Sequence, residues 1–239
     1  MKKLSLFTLT LSLLSLTYAQ NKEQAVSLST AFGAGQVTIA SQYQYNWKLG
    51  KKQKFAIGTG LRLSNNFGSQ TYYITAPAKL TSGKSGPSVF FADQIVPNID
   101  SLYFVKSQVN SLNVTVNFTY DITPKIKLGF NIDAIGFSFG SSKGGNYFPN
   151  VGLPVKSTTA KPTAFNLLLV SDNDLGSLNS EFYGQYNFNK KWGSKLGFQF
   201  LFTEYKTATK VQTTPDGQQN DRFRNKASQI SLGATYNFN

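Results

Sequence analysis

Segments in which large apolar and small polar side chains alternate one for one recur along most of this chain, and that period constrains the fold more than any other feature. In the cleanest, Leu112, Val114, Val116, Phe118 and Tyr120 alternate with Asn113, Thr115, Asn117 and Thr119. A period of two places the two sets on opposite faces of a β-strand. Eight such strands are read: Val26 to Phe32, Val37 to Trp47, Phe55 to Leu63, Leu112 to Tyr120, Ile126 to Phe139, Phe182 to Phe188, Leu196 to Phe202 and Ile230 to Phe238. In the fifth, Ile135, Phe137 and Phe139 run one residue out of step with Ile126 to Ile132, which predicts a β-bulge at Ala134-Ile135.

The face pattern decides the solvent. A soluble barrel turns its apolar face inward and a charged face to water. Here the polar faces carry Gln, Asn, Ser, Thr and Gly, with Arg62, Lys127, Asp133 and Glu181 as nearly their only charges, and just 15% of the chain is charged against 14% aromatic. The interior of eight strands holds only modest side chains, so the aromatic face must point out. The expected fold is all-β: an antiparallel transmembrane barrel of eight strands, or ten if a long connection adds a hairpin. The connections 49–53, 121–125 and 189–194 are tight turns, whereas 66–108, 141–175 and 206–226 are long. Short turns on one rim and long loops on the other are the outer-membrane pattern, with the turns in the periplasm. Tyr43, Tyr45, Trp47, Tyr120, Tyr186, Phe188, Trp192, Tyr236 and Phe238 gather near the short-turn rim as an interfacial girdle.

The first residues fit this destination. Met1-Lys2-Lys3, the apolar run Leu4 to Leu16 and Thr17-Tyr18-Ala19 read as a secretory signal peptide over residues 1–19, leaving a barrel domain over 20–239. Removing Lys2 and Lys3 leaves 22 basic and 11 acidic residues, net +11. For an exported chain that balance points to anionic lipid or surface polymer, not to nucleic acid. The sequence has no Cys and no His, which removes disulfides, thiolate sites and imidazole chemistry.

The final strand, Ser231 to Phe238, resembles the assembly signal of bacterial outer-membrane proteins, with Gly233, Tyr236 and Phe238 at its marked positions and Asn239 as a departure. The resemblance implies handling by the outer-membrane assembly machinery. Four stretches, Gln108 to Val114, Gly129 to Gly140, Gly176 to Tyr183 and Arg222 to Lys226, look like a family of small outer-membrane β-barrel proteins of Bacteroidota. That likeness covers most of the chain after residue 19. It implies fold and a location in the bacterial outer membrane as a multi-pass β-strand protein, but no activity.

Three groups of residues stand out as candidate sites. Arg62, Asp133, Glu181 and Asn131 form an expected lumen cluster, with Arg62 held by Asp133 or Glu181, because opposite charges in a narrow lumen must pair. Lys206, Arg222 and Arg224 are expected to contact lipopolysaccharide phosphates, the outer loops carrying more cations than anions. Asp172, Asp174 and Glu181 lie close in sequence, yet a solvated strand entry explains them better than a calcium site, so no metal or cofactor is expected. Apolar residues in the connections, among them Phe90, Phe91, Ile95, Val96, Leu102, Tyr103 and Phe104, call either for a partner or for packing over the barrel mouth. Asp100-Ser101-Leu102 resembles a Bacteroidota O-glycosylation site at Ser101.

These readings converge on a non-enzymatic cell-surface protein with a structural, adhesive or complex-subunit role. Its expected partners are outer-membrane lipid, lipopolysaccharide and other outer-membrane proteins. A carrier of a small ligand or lipid at the barrel mouth, and a histidine-free enzyme, are the alternatives.

Overall fold

A computed structural model describes residues 21–238 apart from 151 and 153; the expected signal peptide and Asn239 lie outside the described residues. In chain order the strands are β1 (Lys22–Gly33), β2 (Gln36–Leu49), β3 (Phe55–Thr75), β4 (Ser101–Asp121), β5 (Ile126–Phe139), β6 (Lys143–Phe148), β7 (Lys156–Pro162), β8 (Phe165–Leu167), β9 (Leu178–Asn187), β10 (Trp192–Thr207), β11 (Gln212–Thr213), β12 (Gln219–Asn220) and β13 (Arg222–Asn237). A one-turn helix, α1 (Ala78–Ser82), follows β3.

Eight strands close a barrel through antiparallel pairs β1–β2, β2–β3, β3–β4, β4–β5, β5–β9, β9–β10, β10–β13 and β13–β1. Closure leaves no sheet edge, which a β-structure inside lipid requires. The bulge falls where the alternation slips: Val114 faces Ile135 while Thr115 faces Asp133, so Ala134 is the extra residue. Lumen-facing positions are buried and polar, and the opposite faces are apolar and exposed, among them Leu28, Leu61, Phe137, Phe182, Phe198, Phe200 and Leu232. The lower rim carries the short turns, where Tyr45 meets Trp47 and Tyr236 meets both Trp192 and Phe238 edge to face, with ring centroids 5.0–5.4 Å apart.

The strands do not end where the alternation first breaks. β3 runs on to Thr75 and β4 begins at Ser101, so much of the expected loop 66–108 is strand. Likewise 141–175 contains the hairpin β6–β7, and β13 starts at Arg222. The hairpin closes a second ring above the first. β4 pairs with β6, β6 with β7, β7 with β10, and β13 crosses directly to β3 through Phe223–Thr75 and Arg224–Ile74. That crossing is possible because β1 and β2 stop at the tight turn Ala34-Gly35, where both residues have positive φ, 51° and 70°, as a two-residue hairpin turn needs. The extra hairpin therefore enters only the upper ring of six strands, and the lower barrel keeps eight.

Facing reverses between the two storeys. In β3 the inward residues are even-numbered up to Gly68 and odd-numbered from Thr71; in β4 they are even-numbered down to Phe104 and odd-numbered from Ser107. The register between the strands does not change, since Ser69 faces Lys106 and Thr71 faces Phe104. Both strands make the step at one level, with Gln70 at φ 52°, a left-handed conformation that is uncommon for a non-glycine residue. Above it, Tyr73, Leu102, Phe104, Tyr147, Ala160, Tyr205 and Phe223 point inward and form a buried apolar core with Val109.

Candidate functional site

The lower lumen is filled by polar side chains, many of which bond one another. Arg62 on β3 lies 3.2 Å from the Asp133 carboxylate on β5, and it also donates to the Asn179 carbonyl and to Asn131 Oδ1. Asp133 further accepts from Asn113 Nδ2 at 2.7 Å and from the Asn179 amide at 2.9 Å. Glu181 is engaged elsewhere: Lys195 on β10 donates to it at 2.6 Å, and Ser231 Oγ donates at 2.8 Å. The cluster Arg62, Asp133, Glu181 and Asn131 therefore meets in space, with Asn131 Nδ2 reaching Glu181 at 3.4 Å. Arg62, Asp133, Glu181 and Lys195 are each at least 96% buried.

Lys195 was absent from the charges read in the sequence. It shares a face with Gly193, Gly197 and Gln199, and a lone lysine among small residues gives no pattern. It pairs with Glu181 at 2.6 Å and lies 4.0 Å over the Tyr183 ring. Tyr183 fits because Gly129 faces it; a Cβ there would lie 2.2 Å from the ring. Amides complete the packing. Gln199 donates to Gln229 at 2.6 Å, and Asn166 to Asn113 at 2.8 Å.

A ring of four alternating charges closes the lower mouth. Lys48 lies 2.8 Å from Glu23 and 2.9 Å from Asp121, and Lys127 lies 2.8 Å and 3.6 Å from the same two acids. Below it opens a recess of about 420 Å³, bordered by Lys125, Phe188 and Lys190.

The expected lipid contacts are divided by the structure. Strand alternation turns Glu204, Arg222 and Arg224 away from the upper core, yet Arg224 and Glu204 are almost wholly buried. Segments 76–100 and 168–176 fold against this part of the outer wall, joined by Asn173 donating to the Gly86 carbonyl. Beneath them Arg224 donates to Glu204 at 2.8 Å, and Arg222 donates to both oxygens of Glu204 at 2.7 and 3.0 Å. Both arginines also donate to the Asp174 carbonyl. Arg224 is thus withdrawn from solvent and Arg222 is committed to Glu204, whereas Lys206 stays exposed, 3.4 Å from Asp221. Glu204 was missed because no local pattern shows that a distant segment covers an outward strand residue.

The remaining sequence candidates separate. Asp172 pairs with Lys226, Asp174 accepts from the Leu169 amide at 2.7 Å, and Glu181 lies in the lumen, so the three do not share one site. Burial pushes the Asp174 carboxyl above the usual carboxylate range, against the pull of the Leu169 amide and Arg224. Asp100 is buried, accepting from Tyr147 Oη and from the Asn150 amide, and Ser101 opens β4 and is only partly exposed, so this triplet is not a free loop. Burial first, and then the Asp100 carboxylate, push the Tyr147 phenol well above its usual value. Of the apolar connection residues, Leu102 and Phe104 enter the upper core, while Phe91, Ile95 and Val96 stay exposed. Gly233, Tyr236 and Phe238 lie in or just after β13 on the lower rim.

A closed barrel with an apolar exterior, a polar filled interior, short turns on one rim and long connections on the other is an outer-membrane barrel, an integral protein that crosses with strands. No protein-family model and no curated protein matches the chain. Among solved structures it is similar to Neisserial surface protein A, at 7% identity over 90% of this chain and 94% of that one, TM-score 0.36. It is similar to Yersinia pestis Ail bound to a heparin analogue at 9% identity, over 92% and 99% of the two chains, TM-score 0.35. A major outer membrane protein from Thermus thermophilus aligns at 12% identity over 91% and 100%, TM-score 0.41. At these values the likeness lies in the fold alone.

Proposed function

We propose that this chain is a non-enzymatic surface protein of the outer membrane with a structural, adhesive or complex-subunit role, belonging to the small Bacteroidota barrels its sequence resembles. The observation that carries the reading is the filled lumen beneath an upper storey with its own apolar core. A lumen packed with paired charges and amides has no aqueous path, which fits an eight-stranded barrel and disfavours a pore. The upper mouth is also covered, since Gln212 of the β11–β12 hairpin donates to the Asn98 carbonyl and accepts from Thr75, while Val211 packs on the core. Such a cover leaves little room for a ligand carried at the mouth. In this reading the lower rim faces the periplasm and the upper storey rises from the cell surface. Export by the segment 1–19 and insertion by the assembly machinery through the final strand complete it.

The experiment joins planar-bilayer recording to affinity purification from crosslinked cells. The proposal expects no conductance steps and a reproducible outer-membrane partner lost on shortening residues 86–98. Stable conductance, or the same co-purifying proteins with and without that segment, would overturn it.

A further inference from the structure

Just above the apolar belt, the outer face of the β4–β6–β7–β10 wall carries two levels of different chemistry. The lower level is cationic. Lys161 on β7 stands directly opposite Lys206 on β10, both facing out, and Lys106 lies at a similar height on β4. Like charges directly opposite on neighbouring strands repel. Asp221 lies 3.4 Å from Lys206, but among the described residues no acid reaches Lys161 or Lys106. The upper level is a row in unbroken register across four strands: Tyr72 faces Tyr103, Tyr103 faces Asn146, and Asn146 faces Ser157. The two tyrosine rings lie 4.8 Å apart, and Tyr72, Asn146 and Ser157 are exposed.

Strand counting sets the heights. A tilted strand crosses the hydrocarbon in about 9–11 residues. Lys206 lies 14 residues above Trp192, and Lys106 lies 15 above Asp121, at the lower ends of β10 and β4. Tyr72 and Tyr103 lie 17 and 18 residues above Phe55 and Asp121. The lysines therefore stand just beyond the lipid boundary, and the aromatic and amide row stands farther out. Both levels face sideways along the membrane, toward neighbouring lipid.

We propose that this wall binds the phosphorylated glycolipid of the surrounding outer leaflet. Phosphates at the hydrocarbon edge bridge Lys161, Lys206 and Lys106, and the sugars above stack on Tyr72 and Tyr103 and hydrogen-bond Asn146 and Ser157. The order of the chemistry, cations below and sugar-binding groups above, matches a lipid whose phosphates lie nearest the acyl chains. A bridging anion also relieves the repulsion between Lys161 and Lys206. The site rests on the outer-membrane reading and specifies its lipid partner, with Lys161 and Lys106 in place of Arg222 and Arg224, which Glu204 holds.

The test reconstitutes the full barrel with lipid A alone or with lipopolysaccharide carrying core sugars, and measures the retained glycolipid by mass spectrometry. The heat-modifiable gel shift scores folding separately, so a folded barrel without glycolipid preference overturns this site and leaves the barrel reading intact. The K161E/K206E variant should retain both lipids at least about tenfold more weakly, as loss of charge-assisted contacts implies. The Y72A/Y103A variant should lose only the preference for core sugars. Wild-type retention in the folded lysine variant, or an equal fall for both lipids in the tyrosine variant, overturns the proposal.

Discussion

The lower and upper storeys of this barrel solve opposite solvent problems with the same strands. Below, Arg62, Asp133, Glu181 and Lys195 are enclosed by amides while Leu61, Phe198 and Leu232 face outward. Above, Tyr73, Phe104, Tyr205 and Phe223 are enclosed while Asn146, Ser157 and Lys161 face outward. The lower arrangement is favourable only where lipid replaces water outside, because its exposed apolar surface would otherwise be hydrated. The upper one is that of a water-soluble barrel. In β3 and β4 a step at Gln70 and Val105 makes the exchange, whereas β10 and β13 keep one phase and change composition instead, so the boundary is written into backbone phase on one wall and into composition on the other.

If the storeys are independent in this way, their polar and apolar cores should fail differently. Arg62→Ala leaves the buried Asp133 carboxylate without its cation, and breaking one side of a buried pair costs about 3–5 kcal/mol. The temperature at which the heat-modifiable band is lost should fall, and adding Asp133→Asn should restore much of it. An unchanged transition in Arg62→Ala would show that the lumen pairs do not stabilise the barrel.

Tyr205→Ala should cost a similar amount, about 3–5 kcal/mol, because it removes a ring from the upper core. It also removes the hydroxyl that accepts from the Gln108 amide and donates to the Gln108 carbonyl, where β4 has no paired strand on the side away from β3. Here the expected readout is faster protease cleavage of residues 76–100 and 207–221 with the lower gel shift retained. Loss of the gel shift instead would mean that the storeys fold as one unit.

Outward arginines sharpen the boundary itself. Leu61→Arg faces mid-belt lipid and should destabilise by about 2–4 kcal/mol, whereas Tyr72→Arg, above the step, should cost about 0–1 kcal/mol. Equal effects in a denaturant titration in bilayers would remove the distinction between the two outer faces.

A smaller effect is expected at Tyr147. Its phenol is pushed up by burial and by Asp100, so the folded state holds that proton more tightly than the unfolded chain does. The resulting stabilisation is fully present below the ordinary phenol value of about 10 and is lost as pH rises through the higher folded value. Tyr147→Phe should cost about 1 kcal/mol at neutral pH. It should also remove the alkaline increase in protease sensitivity of the upper storey that is expected of the wild type. Parallel alkaline profiles would assign that sensitivity to other groups.

The sequence showed the lower storey more clearly than the upper for a physical reason. Within β2 or the lower part of β4, every second residue meets the same environment, so alternation over Tyr43, Tyr45 and Trp47 reports one face directly. At Gln70 the environments exchange as the phase steps, and Leu102 and Phe104 then read as stray apolar residues in a loop. Lys195 and Glu204 escaped notice because their significance lies in partners on other strands, Glu181 and Arg224. The Ala134 bulge was legible, since a phase slip inside continuous alternation has a local signature.

The reversal of facing can be read directly by depth-resolved spin-label accessibility in bilayers, because the sequence contains no cysteine and single cysteines can be placed freely. Labels at Leu61, Phe198 and Leu232 should collide with oxygen dissolved in the lipid and be shielded from an aqueous nickel chelate. Labels at Tyr72, Asn146 and Ser157 should show the opposite preference. Lipid-like accessibility at the second set would contradict the two-storey account, because the belt would then continue past the step in β3 and β4.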